Sequence, residues 1–360
     1  MSDNFSHIAA SPKKRQRFAE SCARLVRIFG VDGVDIDWEY PGYKPAKGHS
    51  GDRHNFTLLI QAVRRAFDQL ETQTGTELLL TADFGAGASH TRQIEWTQVV
   101  PLLDFVNVMT YDYYGSRPGY TNHHAPLYAP RKGVEGYDLN STVRELTGNY
   151  GVPPEKINIG LAFFGRSIKT RGKARIHSKT RRIADEKTFP EDKGAPAYYN
   201  LLARQNLFDY HWDDCAEVPY LNGKKLNTFV TFDDELSIRK KAQYILNNGL
   251  AGAIVWDITG DCIESKKRPG TIENTPLADA LRETLCQQKV EMPAMTRHAG
   301  NKAPAQNLPQ QWSLLTHHTF APRVAQSTPV ISKKEKRIKK KRRKKKNKSS
   351  VPHRYFDGGW

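Results

Sequence analysis

Cysteine is scarce and scattered. Cys22, Cys215, Cys262 and Cys286 are the four in 360 residues, and none stands in a C-x-x-C spacing. This excludes both a zinc-finger type of site and a dense disulfide framework. Long apolar runs are missing too. No stretch approaches the roughly 20 apolar residues a membrane-spanning helix needs. The opening MSDNFSHIAASPKKRQRF lacks the apolar core of a secretory signal. The expectation is a soluble chain without a visible export signal, its compartment left open.

Acidic residues are outnumbered, and most of the imbalance is local. The run KKEKRIKKKRRKKKNK at 333–348 carries net +12 of the formal +17, so the rest of the chain carries +5. From about Gln287 the sequence turns rich in Pro, Gln and Ala without helical or strand period, the composition of a disordered tail. The expected division is a folded domain over 1–290 and a tail over 291–360. Such a basic run attracts polyanions by counterion release, which makes a weak polyanion contact one expected partner. A solvated run with no dedicated partner is the other reading.

Ahead of the tail, short apolar runs recur at Gly33–Glu39, Glu77–Phe84, Leu103–Tyr111, Ile157–Phe163 and Ala251–Asp257. Near-continuous hydrophobicity predicts strands covered on both faces, as in parallel sheets. Helical stretches lie between them. Ser11 as N-cap, Pro12 at the first helical position, apolar Phe18, Leu25 and Phe29, and Gly30 as stop predict one helix. Phe56, Leu59, Ile60, Val63 and Phe67, ending at Gly75, predict a second. Alternating strands and helices give right-handed βαβ units, hence an α/β barrel or an open doubly wound sheet.

The segment VDGVDIDWEYPG at 31–42 is the most unusual of these. Asp35, Asp37 and Glu39 alternate with Ile36 and Trp38, so as a strand it sets three acids on one face. Glu39 lies nearest the C-terminal end, the end that carries chemistry in barrels. The competing reading is an edge strand with its acids in solvent. Val34, Ile36 and Trp38 would make a poor solvent face, and closely spaced acids repel unless a site uses them.

The stretch DGVDIDWEYP resembles the DxxDxDxE signature of glycoside hydrolase family 18, the chitinase family, at Asp32, Asp35, Asp37 and Glu39. LLDFVNVMTYDYYG, INIGLAFFGRS and GLAGAIVWDITGD resemble its later strands, and the resemblance runs from about Asn4 to Asp261. It implies a TIM-type (β/α)8 barrel, a chitin or N-acetylglucosamine oligomer as partner, and acid–base chemistry without a cofactor. Glu39 would be the general acid and base, Asp37 would orient the substrate acetamide, Asp35 would share a proton with Asp37, and Tyr111 would bind the acetamide carbonyl. That coupling would hold Glu39 protonated near neutral pH. Asp112, Met109 and Trp256 would hold the sugar, with Tyr40, Tyr198 and Tyr220 as further contacts. Asp32, out of step with the other acids, reads as structural.

Departures from the family pattern are visible. Phe164 stands where tyrosine is usual, and Asp83 where a small neutral residue is usual. Only five barrel strands can be counted, which predicts a barrel without its first three. Residues 167–227 resemble the small α+β insertion that many members carry, with Trp212, Tyr198 and Tyr220 either as sugar contacts or as the insertion's own core. An inactive, carbohydrate-binding relative remains the alternative to an enzyme.

Overall fold

The computed structural model describes residues 2, 4–115 and 118–287. The basic run at 333–348 lies outside the described residues. Among the described residues, nine strands build the two larger sheets. They are β1 (Gly33–Asp37), β2 (Leu79–Gly85), β3 (Phe105–Met109), β4 (Ile157–Ala162), β5 (Arg166–Lys169), β6 (Phe208–Asp213), β7 (Val218–Gly223), β8 (Thr228–Thr231) and β9 (Gly252–Trp256). β1, β2, β3, β4 and β9 pair in that order, all parallel. Each of the five expected strands is present, with ends shifted by no more than two residues.

The chain enters through α1 (Phe5–Ala9) and α2 (Pro12–Phe29), and α3 (Asp52–Thr74) connects β1 to β2. Gly30 closes α2 at φ 62° and Gly75 closes α3 at φ 70°, the left-handed geometry that glycine adopts without a Cβ penalty. Ser11 occupies the N-cap position, but its hydroxyl makes no capping bond. Its backbone carbonyl accepts from the N–H groups of Lys14 and Arg15.

The expected apolar face of α2 is corrected by the structure. Leu25 is 46% and Phe29 72% exposed, while Ala19, Cys22 and Val26 are buried. Those three form an i, i+3, i+7 stripe of small side chains, which lets α2 approach α3 closely. On α3 the expected residues Phe56, Leu59, Ile60, Val63 and Phe67 are buried. They form one core with Ile36, Leu80, Ala82, Val106, Val108, Ile159 and Leu161 from the sheet. Each such side chain, fully buried, contributes about 1.5–3 kcal/mol before conformational entropy is subtracted.

Burial of that face leaves the alternate residues of every strand on the other. Among the described residues β1 and β9 each pair on one side only. The N-terminal segment covers part of the β1 edge. The Ser2 hydroxyl donates to the Asp37 carbonyl at 3.3 Å and accepts from the Glu39 N–H at 3.0 Å. Phe5 stacks on Trp38 with centroids 5.5 Å apart.

Between β4 and β9 the chain forms the second sheet, antiparallel in the order β5-β8-β7-β6. It runs from Arg166 to Thr231, wider than the 167–227 expected. The difference is β8, which reads in sequence as the approach to the last strand but pairs with both β5 and β7. Among the described residues no helix is long and apolar enough to cross a membrane.

Candidate active site

β1 alternates as its sequence demands: Ile36 and Trp38 are each 2% exposed, and Asp35 and Asp37 point to the opposite face. The structure joins the two readings of this strand. β1 is an edge strand, yet its acids share a face with functional groups from its neighbours. The parallel register sets Thr81 beside Asp35, Asp83 beside Asp37, Asn107 beside Asp83 and Met109 beside Gly85. Beyond them, Asn158 pairs with Asn107 and Trp256 with Ala162.

A polar ladder crosses four strands on this face. The Thr81 hydroxyl and the Asn107 amide, the latter at 2.9 Å, both donate to Asp35 Oδ1. The Asn158 amide in turn donates to Asn107 Oδ1 at 2.9 Å. Asp35 Oδ1 is thus the acceptor at which the ladder ends.

Two glycines make room for aromatic rings. A Cβ on Gly160 would lie 2.7 Å from Tyr111 Cε1, and one on Gly85 would lie 2.8 Å from Tyr40 Cε1. Tyr111 and Tyr40 therefore lie over the sheet backbone. The Tyr40 phenol is pushed up by burial and then by the Glu39 carboxylate. The Tyr111 phenol is raised by burial, then by Asp83, Asp112, Glu39 and Asp37. Five groups from three strand ends thus share one electrostatic neighbourhood.

Burial, then the charges of Glu39 and Asp35, raise Asp37 to about 6. Asp112 goes the other way. Burial alone would raise it, but the Arg166 guanidinium and His124 hold it well below the usual carboxylate range. Arg166 Nε donates to Asp112 Oδ1 at 2.6 Å and Nη2 donates to Oδ2. Asp112 has φ 62°, a left-handed conformation sustained where surrounding bonds over-determine it. Arg166 also lies 4.9 Å over the ring of Phe164, whose edge meets Tyr111 at 5.7 Å.

Of the ten residues expected from sequence, Asp35, Asp37, Glu39, Tyr40, Tyr111 and Asp112 meet at the C-terminal ends of β1 and β3. Met109 is nearly buried on the same face, and Trp256, 61% exposed, presents its ring at the end of β9. Tyr198 does not join them. It is 2% exposed, and its hydroxyl donates to Glu235 Oε2 at 2.7 Å, so it belongs to the core. Tyr220 is stacked between His211 and Phe229, at 5.1 and 5.5 Å, and with Trp212 it lines an open cavity of about 470 Å³.

Thr81, Asn107, Asn158 and Arg166 were not singled out in sequence. For Thr81 and Asn107 the signal was the two-residue period of β2 and β3, on which Thr81 and Asp83, and Asn107 and Met109, fall in step.

The family model for glycosyl hydrolases family 18 matches residues 1–261. The chain belongs to that family. Chitinase A1 of Niallia circulans is 32% identical over 290 residues, covering 77% of this chain and 41% of that protein. Among solved structures, chitinase ChiA74 from Bacillus thuringiensis matches with TM-score 0.71 and 34% identity, over 79% of this chain and 48% of that one. A family 18 N-acetylglucosaminidase from Paenibacillus barengoltzii matches with TM-score 0.67 and 33% identity, over 78% of each chain. The chain spans 41 to 62% of the length of the curated relatives it matches. Family membership and the parallel α/β sheet agree with each other, and the acid-bearing strand is the first strand of that sheet.

Proposed function

We propose that the chain carries the catalytic apparatus of a chitinase that hydrolyses β-1,4-linked N-acetylglucosamine with retention of configuration. The observation that carries this reading is the convergence of Asp37, Glu39, Tyr111 and Asp112 at the C-terminal ends of β1 and β3, on either side of β2, in a chain of family 18. In this reading the five parallel strands are part of a (β/α)8 barrel, whose remaining strands would pair with the free edges of β1 and β9. The sheet spanning 166–231 is the family's small insertion and walls the cleft.

Most glycosidases use two carboxylates across the scissile bond, but family 18 lets the substrate's own acetamide act as nucleophile. Glu39 gives its proton to the leaving oxygen as the acetamide carbonyl oxygen bonds to the anomeric carbon. Asp37 accepts from the acetamide N–H and stabilises the positive oxazolinium ion that results. Tyr111 donates to the acetamide oxygen and fixes its approach. The Glu39 carboxylate then takes a proton from water, which opens the ring from the same face. Asp112, locked by Arg166, accepts from a sugar hydroxyl, and Trp256 with Met109 packs the apolar face of the pyranose.

The test is release of N-acetylated oligomers from chitin oligosaccharides by the wild type and by Glu39→Gln. Glutamine keeps the shape and removes the proton to be transferred, so release should stop. Equal activity of the two proteins would refute the assignment.

A further inference from the structure

Asp83 is an acid without an assigned task, in the middle of the site. The register places it between Asp37 on one side and Asn107 on the other, on the face that carries Asp35. Its carboxyl lies beside the Asp35 and Asp37 carboxyls and the Asn107 amide. It lines a narrow cleft with Tyr40, His90 and Gly85. The groups that face it are therefore Asp35 and Asp37 from β1, Tyr40 beyond β1, Asn107 and Tyr111 from β3 and its continuation, and His90, whose imidazole is held neutral by burial.

A hydrogen bond between two carboxyls requires one proton, since an ionised carboxylate has none to give. Asp35 already serves as acceptor to Thr81 and Asn107 through Oδ1. Asp83 is the less exposed of the two. The proton therefore belongs on Asp83.

We propose, resting on the acid-site reading above, that Asp83 is a positioning residue whose protonated carboxyl donates to Asp35 and relieves Asp37 of sharing a proton with it. Asp37 is then free to turn its oxygens to the substrate acetamide while Asp35 stays anchored to the ladder. Burial, then Asp35 and Asp37, raise Asp83 to about 7. Above that pH a third anion arises in the cluster and the bond to Asp35 is lost.

The experiment follows the protonated-carboxyl band of the full chain by infrared spectroscopy from pH 5 to 9, in wild type, Asp83→Asn and Asp83→Ala. The wild type should lose a carboxyl proton near pH 7, and both variants should lack that step. A step of equal size in both variants would overturn the proposal. In oligosaccharide hydrolysis, Asp83→Asn keeps a donor to Asp35 and cannot ionise, so the alkaline limb of kcat should move up by about one pH unit. Asp83→Ala removes the donor as well, and kcat should fall about tenfold below that of Asp83→Asn, the worth of one hydrogen bond. Superposable pH profiles of wild type and Asp83→Asn would equally overturn it. The two readings fail separately: hydrolysis that survives Glu39→Gln would sink the enzymatic one, while the infrared step still decides Asp83.

Discussion

Arg166 holds Asp112 with two nitrogens of one guanidinium across 54 residues of sequence, and Asp112 keeps its left-handed backbone under that grip. The fork geometry matters as much as the charge, because lysine offers a point charge where arginine offers two parallel donors.

Arg166→Met should destabilise the chain by about 1–3 kcal/mol, since it strands a carboxylate that is mostly out of water. The side chains are 33% and 38% exposed, and solvent screening keeps the loss in the lower part of that range. Arg166→Lys should cost about half as much while lowering kcat/KM clearly, because Asp112 loses its fixed orientation. Urea midpoints of the three proteins check the first outcome and oligosaccharide kinetics the second. Unchanged midpoints would contradict the grip.

The pH dependence of stability has a definite sign. Asp37 and Asp83 rise from 3.8 to about 6 and about 7, for burial first and neighbouring anions second. A carboxyl with a higher pKa folded than unfolded binds its proton more tightly in the folded chain. The stability it contributes is full below the unfolded value and is lost as pH rises through the folded one. Stability from these two groups should therefore fall between about pH 4 and pH 7. In Asp37→Asn/Asp83→Asn the fall should be shallower. Asp112, depressed rather than raised, acts only on strong acidification, outside this window. Unfolding by urea at stepped pH measures the slopes, and identical slopes in the two proteins would count against the raised carboxyls.

Asn158→Ala should be felt at Asp35, although the two side chains do not touch. Removing its amide frees Asn107 Oδ1, and the Asn107 amide is then no longer held toward Asp35. We expect about 1 kcal/mol of stability lost and a drop in kcat of about tenfold. KM should change less than kcat, because the ladder acts through the acids. An unaltered kcat would show that Asn107 needs no support.

How much was legible in sequence varies with the range of the cause. Helix ends at Gly30 and Gly75 depend on neighbouring residues and were readable. The alternation that turns Asp35, Asp37 and Glu39 to one face is equally local. Leu25 and Phe29 were misread because two apolar stripes run along α2, and only the packing against α3 decides which is buried. Whether Tyr198 meets the sugar or packs in the core was not legible, because Glu235, its partner, is 37 residues away. Asp83 was noticed as an unusual residue but not placed in the site, since its partners are set by the register of β2 against β1 and β3. That register pairs Asp83 with Asp37, 46 residues before it, and with Asn107, 24 residues after it.

The ladder from Asp35 to Asn158 also bears on how such a site is inherited and engineered. Its signature reads as ten consecutive residues, yet the first acid of the cluster is braced by side chains from three further strands. Transplanting DGVDIDWEYP into another parallel sheet would carry the reactive groups and leave the bracing behind. A natural chain that kept the decapeptide but drifted at Thr81, Asn107 or Asn158 would still match the signature while losing turnover. For the same reason, an inventory of working sites should be taken across the sheet, at right angles to the strands, as well as along the chain.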